Sequence, residues 1–402
     1  MSMPSRRILL LVCVLALALA AGAVATADVV VSDEEDEQRP AEIIEVQNSS
    51  NYLSATSDNV TQESHTSAGL DVSGAVEADA LALQGTHERL ALESALEAPE
   101  AHGDIEVETL EMLESDTEAL ERQQQRLFAD YSEGGVDTST LVREVVRLEA
   151  TAEQYRQVRE TILEEGVSSR LTTRYSNLEG EAPFIPSPIA PMLEAGLAGE
   201  GDIPLYVQGG NDSLVLATVS EDGTYLREAV LHSNRDTDAQ QQFGAGGRSE
   251  AEDAFNRAEF LYPWASAEQF RPDLRGFGNN TVYRFTSEHS HGVTRSYLDG
   301  ATTNPFYEIH EKNALTVPVA DFSQRTDNNL RLTVESIAPT GPILIDVRQT
   351  GGASEQINVY IDDTHVKTLD GSGDFWSVQP IGSFEVTAEN EAGEEVSVFF
   401  LR

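Results

Sequence analysis

The sequence predicts a multidomain α+β protein: an N-terminal antiparallel helical bundle or coiled coil, a middle α+β domain and a C-terminal immunoglobulin-like β-sandwich. Three observations predict it. Apolar residues recur at steps of three and four between residues 71 and 165. From 205 the period shortens to two, with one helical interruption. From about 328, seven short alternating segments follow one another across turn residues.

The helical part divides at Pro99 and Gly103 and again at Gly134-Gly135. A first helix over 71–98 carries Val76, Leu83 and Leu90 at sevenfold spacing with Ala80 between them. A second, 104–130, places Leu110, Leu113, Leu120 and Leu127 on one stripe. A third, 138–165, alternates steps of four and three through Leu141, Val145, Leu148, Ala152, Tyr155 and Ile162. Short connections make neighbours antiparallel. Eleven acidic residues run from Glu93 to Glu121 with no Lys or Arg among them, while the third helix carries Arg143, Arg147, Arg156 and Arg159. Folding about position 134 sets Glu121 near Arg147, and Glu108 or Glu111 near Arg156 and Arg159, pairs whose value lies in register. The plainer alternative is that these are solvated faces.

Prolines 183, 186, 188, 191 and 204 alternate with glycines and mark 166–204 as a semi-rigid linker. Strands are expected at 205–208, 214–219 and 225–231, the last two joined across Glu221-Asp222-Gly223. Ser249 and Glu252 form a capping box ahead of a helix through Tyr262. Strands return at 281–287, 293–298 and 306–310, closing a middle domain of 205–327. Residues 328–402 make the sandwich, with Asp362-Asp363 and Gly371-Ser372-Gly373 as turns.

The first 27 residues read as an export signal. Arg6 and Arg7 precede an apolar run from Ile8 to Ala25, and Ala25-Thr26-Ala27 supplies a cleavage site after Ala27. The Ser5-Arg6-Arg7 start suits the twin-arginine route as well as the general one. An uncleaved anchor is the rival reading, since about 20 apolar residues span a bilayer. Residues 28–70 form an acidic flexible leader. Cys13, the single cysteine, lies inside the apolar run. A mature chain thus has no thiol, which excludes disulfides, cysteine nucleophiles and cysteine zinc sites.

Two lysines, Lys312 and Lys367, and 24 arginines face 69 acidic residues, for a net charge of −43. Such a coat suits molar salt, where the Debye length falls to roughly 3 Å and self-repulsion is screened. It argues against nucleic acid, whose phosphates would meet like charge. A protein or envelope partner is expected instead, with membrane contact only through an uncleaved N-terminal segment.

Chemistry-bearing residues are sparse. His289 and His291 share a face if 281–291 is a strand, Glu288 adjoins them, and His310 or Glu308 is a third ligand for a divalent metal. Their plainer reading is exposed turn residues at a strand end. Gly244-Ala245-Gly246-Gly247 lacks a P-loop lysine and reads as a flexible loop, and no G-x-S-x-G or HExxH occurs. Asp236 with Asp238, and Asp370 with Asp374, are calcium candidates that chance alone supplies in so acidic a chain. No other cofactor is indicated. Sequons stand at Asn48, Asn59, Asn211 and Asn279.

In the stretches Asn48-Ser49-Ser50-Asn51-Tyr52-Leu53, Gly69-Leu70-Asp71-Val72, Tyr225-Leu226-Arg227-Glu228-Ala229 and Leu261-Tyr262-Pro263-Trp264-Ala265 the chain resembles a family of exported haloarchaeal proteins. The resemblance implies a helical N-terminal region and a β-rich remainder, with no assigned function and no catalytic residue to carry over. The expectation is an exported, salt-adapted structural or interaction protein more than an enzyme. The alternatives are a metal-binding protein or enzyme with its site in the middle domain, and an anchored sensor ectodomain. Dilution below about 0.2 M salt, where the Debye length exceeds about 7 Å, is expected to unfold the chain. Circular dichroism during dilution checks this, and cooperative melting retained at low salt would contradict it.

Overall fold

The computed structural model describes residues 60–97, 102–201, 203–262, 272–277, 281–337, 340–351 and 356–401, all within the unit Pro40–Arg402. Three long helices come first: α1 (Val72–Leu96), α2 (His102–Ser132) and α3 (Thr138–Glu165). Asp71 caps α1, accepting from the Ser73 and Gly74 amides, and its second oxygen takes Arg143 Nε at 2.8 Å. Those bonds hold its carboxyl below the usual range, the Gly74 amide first. Asp137 caps α3 through the Thr140 amide, and Gly166 ends it at φ 94°.

The helices form a layer centred on α3. The α2 helix runs antiparallel to α3, as expected, and α1 lies alongside α3 in the same direction, with Gly74 beside Arg143 and Gly85 beside Gln154. The small residues Gly74, Ala78 and Gly85 make that close approach. The expected seam of Val76, Ala80, Leu83 and Leu90 faces solvent instead. The predicted charge register differs too. Arg147 pairs with Glu144 on its own helix, Arg156 with Glu149 and Glu153, and Arg159 with Glu179, while Glu121 meets Arg235. Arginines of α3 thus clamp the following connector rather than α2.

That connector, expected as a linker, is folded. It holds α4 (Ser169–Asn177), two short 3-10 turns and α5 (Ala190–Leu197), with Pro191 in the first turn of α5, where its missing N–H costs nothing. Ile185, Ile189, Leu193 and Leu197 are buried, which anchors the stretch against the helices and the sheet.

The sheet has eight antiparallel strands: β1 (Gln62–Ala68), β2 (Ile203–Gly210), β3 (Ser213–Val219), β4 (Thr224–Leu231), β5 (Asp273–Phe277), β6 (Val282–His289), β7 (Gly292–Asp299) and β8 (Pro305–Asn313). Their order is β1-β2-β3-β4-β8-β7-β6-β5. The leader thus ends in an edge strand, β1, which pairs with β2. Residues before Val60, including the expected signal and its expected Ala27 cleavage site, Asn48 and Asn59, lie outside the described residues.

Each face of the sheet carries its own cover. Leu205, Val207, Leu214, Leu216, Leu226, Val230 and Ile309 pack on Leu120, Phe128, Leu141, Val142 and Val146 of the helices. On the opposite face α6 (Glu250–Leu261), capped by Ser249 as expected, packs Ala254, Ala258 and Leu261 on Tyr283, Phe285 and Leu298. Beside it sits the sandwich of β9 (Asp321–Asp327), β10 (Leu330–Ser336), β11 (Pro342–Gln349), β12 (Gln356–Ile361), β13 (Thr364–Asp370), β14 (Gly373–Val378), β15 (Phe384–Asn390) and β16 (Glu395–Phe400). Its sheets run β14-β11-β10-β9 and β13-β12-β15-β16 around a core of Leu332, Ile345, Val359, Val386 and Val398. The strand missed by periodicity, β9, moves the sandwich's start from 328 to 321, since its polar sequence is exposed on both faces. Among the described residues no helix is long and apolar enough to cross a membrane.

Helix α2 touches the sheet at Gly209, where a Cβ would lie 2.6 Å from the Tyr131 ring. Gly209→Val is expected to destabilise the fold by about 1–3 kcal/mol, read as a lower urea midpoint in molar salt.

Candidate functional site

The sheet face shared by α6 and the sandwich carries a row of polar residues. Register places His65, Tyr206, Ala217, Arg227, His310, Thr294 and Ser287 side by side across seven strands, β1 to β6 with β8 and β7 between. Arg227, Thr294, Ser287, His310 and the neighbouring Glu308 are all fully buried. Strand alternation explains it: 225, 227 and 229 point one way, as do 308, 310 and 312.

Burying such groups is costly unless they are bonded, and Glu308, His310 and Thr294 are, while Ser287 Oγ has no hydrogen-bond partner among the described residues. Glu308 Oε1 accepts from His310 Nε2 at 2.7 Å and lies 3.4 Å from Arg227 Nη1. Its Oε2 accepts from Tyr262 Oη at 2.6 Å, joining α6 to the sheet. Thr294 Oγ1 lies 3.0 Å from His310 Nδ1 and 3.4 Å from His289 Nε2, and the His291 amide donates to His289 Nδ1. These bonds fix one proton direction: His289 Nε2–H to Thr294, Thr294 O–H to His310 Nδ1, and His310 Nε2–H to Glu308. Both imidazoles are neutral. Burial first, and then Lys312, hold His310 well below its ordinary value, and burial with Lys312, His310 and His291 brings His289 to about 3.

Three of the four expected metal residues therefore meet here, but not as a ligand set. The rings of His289 and His291 are 6.1 Å apart, and both are buried rather than exposed at a turn. Lone pairs of His289 and His310 are occupied by an N–H and an O–H. Glu288 is exposed on the opposite face. Among the described residues no group of three or more His, Cys, Asp or Glu has metal-holding geometry. Arg227 and Thr294 escaped the sequence reading, although their phase with Tyr225, Ala229 and Ser296 was a usable signal. Elsewhere, Asp236 accepts from the Asp238 and Ala239 amides, and Asp374 lies 3.7 Å from Arg348. Asn211 is exposed in the β2–β3 turn, and Asn279 lies outside the described residues.

The other face holds a cavity of about 60 Å³ between helices and sheet, walled by Leu120, Phe128, Leu148, Leu216 and Val230. Two carboxylates enter it, Glu149 and Glu228, and they share Ser187. Glu228 accepts from Ser187 Oγ at 2.5 Å, the Ile189 amide at 2.8 Å and Tyr307 Oη at 3.1 Å. Glu149 accepts from the Ser187 amide and from Arg156. Glu228 thus ties the connector to β4 with neutral donors alone, and burial raises it to about 7. Burial also raises Glu149, against the pull of Arg156. The room suits a few waters and is far below the ~300 Å³ of ordinary ligand pockets.

The architecture is therefore that of a helical unit and a fibronectin-III-like sandwich mounted on one antiparallel sheet. Comparison with known proteins divides the chain near 200 and 320, with β1 falling in the first part. Residues 3–200 match a domain of unknown function (DUF7096), 205–318 a family of unknown function (DUF7094), and 322–398 an archaeal fibronectin-III type-like domain. No curated protein matches the sequence. A solved polysaccharide lyase aligns over 50% of this chain and 34% of its own at 8% identity, with a TM-score of 0.13. The chain spans about a third of that protein, and a score so low carries no argument about fold or activity.

Glu228 gives a signed pH prediction. Its proton is held by the folded state between 4.5 and about 7. Its contribution to stability therefore falls as pH rises through that window, and the burial cost is fully felt above it. Glu228→Gln is expected to gain up to about 3 kcal/mol relative to the parent between pH 4.5 and 7.5. Urea titrations of both chains across that range check it.

Proposed function

We propose that the chain is a non-enzymatic structural or interaction protein, exported to the envelope or medium of a salt-adapted archaeon. In this reading the sheet is a platform. It offers the helical unit as a partner surface on one face and the fibronectin-III-like domain on the other. The export segment and the acidic coat support the outside location.

The observation that carries the reading is how the reactive side chains are used. Glu308, His310 and Thr294, the acid–base and nucleophile types, are fully buried and bonded to one another, where they hold α6 against the sheet. Beside them the sandwich is fixed by hydrogen bonds. Tyr225 Oη donates to Thr340 O at 2.6 Å, His65 Nε2 to Val378 O at 2.8 Å, and the Ile381 amide to Glu63 at 3.0 Å. The Tyr225 bond is buried, and buried polar bonds of this kind specify a single docking arrangement. Asn211, exposed in its turn, is the proposed glycan position among the described residues.

A second reading, a metal-binding protein or enzyme, is favoured by the proximity of His289, His291 and His310. Two measurements on the full chain in molar salt separate the two. A pull-down from envelope material is expected to enrich a defined partner, and elemental analysis to find no stoichiometric transition metal. Bound metal that is lost in His289→Ala would replace the first reading with the second.

A further inference from the structure

One surface of the helical unit is built inside out. Toward α3, α1 turns the small residues Gly74, Ala78 and Gly85. Away from it, Val72, Val76, Leu83 and Leu90 stand 64%, 61%, 72% and 53% exposed. A surface helix normally buries its bulky apolar side and wets its small or polar one. Close packing explains the glycines, since a Cβ at Gly85 would lie 2.5 Å from Gln154 Cγ. It does not explain leucines in water. Val76, Leu83 and Leu90 repeat at seven with Ala80 exposed between them, which is the repeat by which one helix receives another.

We infer that this stripe joins two copies of the chain, α1 against α1 of the second copy, running antiparallel. The inference rests on the partner-surface reading above and names the partner. Setting Leu83 against Ala80 of the second copy also places Leu90 against Ser73 and Val76 against His87, so each bulky apolar residue of the stripe meets a small or polar one. The same register puts Glu77 beside Gln84 and Asp79 beside Thr86 of the second copy. Acid faces neutral on both flanks, and no like-charge pair is forced together. The helix of 25 residues is about 37 Å long. One such helix pair lies near the ~1,000 Å² lower limit for a specific interface, which makes the dimer reversible. The net charge of −43 on each copy makes association strengthen with salt.

Light scattering on the mature full-length chain in molar salt, from about 1 to 100 μM, tests this. The mass is expected to rise from one chain to two, and to fall back as salt is lowered within the range where the fold persists. Leu83→Glu should weaken association at least about tenfold, a loss of roughly 1.4 kcal/mol. Ala82→Glu adds the same charge at an exposed site off the stripe and should change little. Leu83 makes so little contact within one copy that its variant keeps the parent's circular dichroism. A one-chain mass at every concentration, or equal weakening by both variants, overturns the dimer. Either result leaves the envelope pull-down free to succeed or fail separately.

Discussion

An antiparallel sheet buried on both faces is the constraint from which the rest of this molecule follows. Such sheets commonly wet one face and alternate apolar with polar residues. Here the helix-facing side is apolar apart from a few residues such as Glu228, and the other side is covered by α6 and the sandwich although half of it is polar. Covering polar residues demands complete bonding. The Arg227–Glu308–His310–Thr294 row supplies most of it, with Tyr262 reaching down from α6, and Ser287 Oγ is left without a hydrogen-bond partner among the described residues.

Two of the buried glutamates, Glu308 and Glu228, show how context divides one residue type into two roles. Glu308 has a guanidinium beside it and lies in a row of neutral imidazoles, so its charge is compensated within the sheet. Glu228 has only hydroxyl and amide donors, and its carboxyl moves toward neutrality instead. The first locks the sheet to the cover on its outer face. The second pins the proline-rich connector, through Ser187 and Ile189, to β4.

Much of the fold was legible because periodicity survives where packing is regular. The three helices, the Ser249 N-cap, six of the eight central strands and seven of eight sandwich strands lie within a few residues of their expected places. What escaped had a physical cause. The β9 strand is polar on both faces, and β1 is a short edge strand in a polar stretch, so neither shows alternation. The connector's prolines imply breaks, but Pro191 starts a helix. Sevenfold spacing located α1 correctly while giving no hint of which neighbour it faces, because a seam for a helix of another chain looks like a seam for one's own. The site was half legible. Histidines drew attention by type, whereas Arg227 and Thr294 matter by phase, and ligand-like spacing says nothing of lone pairs already occupied by neighbouring donors.

The sandwich is held at Thr340 and Val378 through their carbonyl oxygens, atoms that every amino acid carries. Those two bonds are consequently indifferent to which side chains the two residues carry and, being uncharged, to brine strength, while the Val378 side chain adds its own packing against Tyr206, Ala217 and Tyr225.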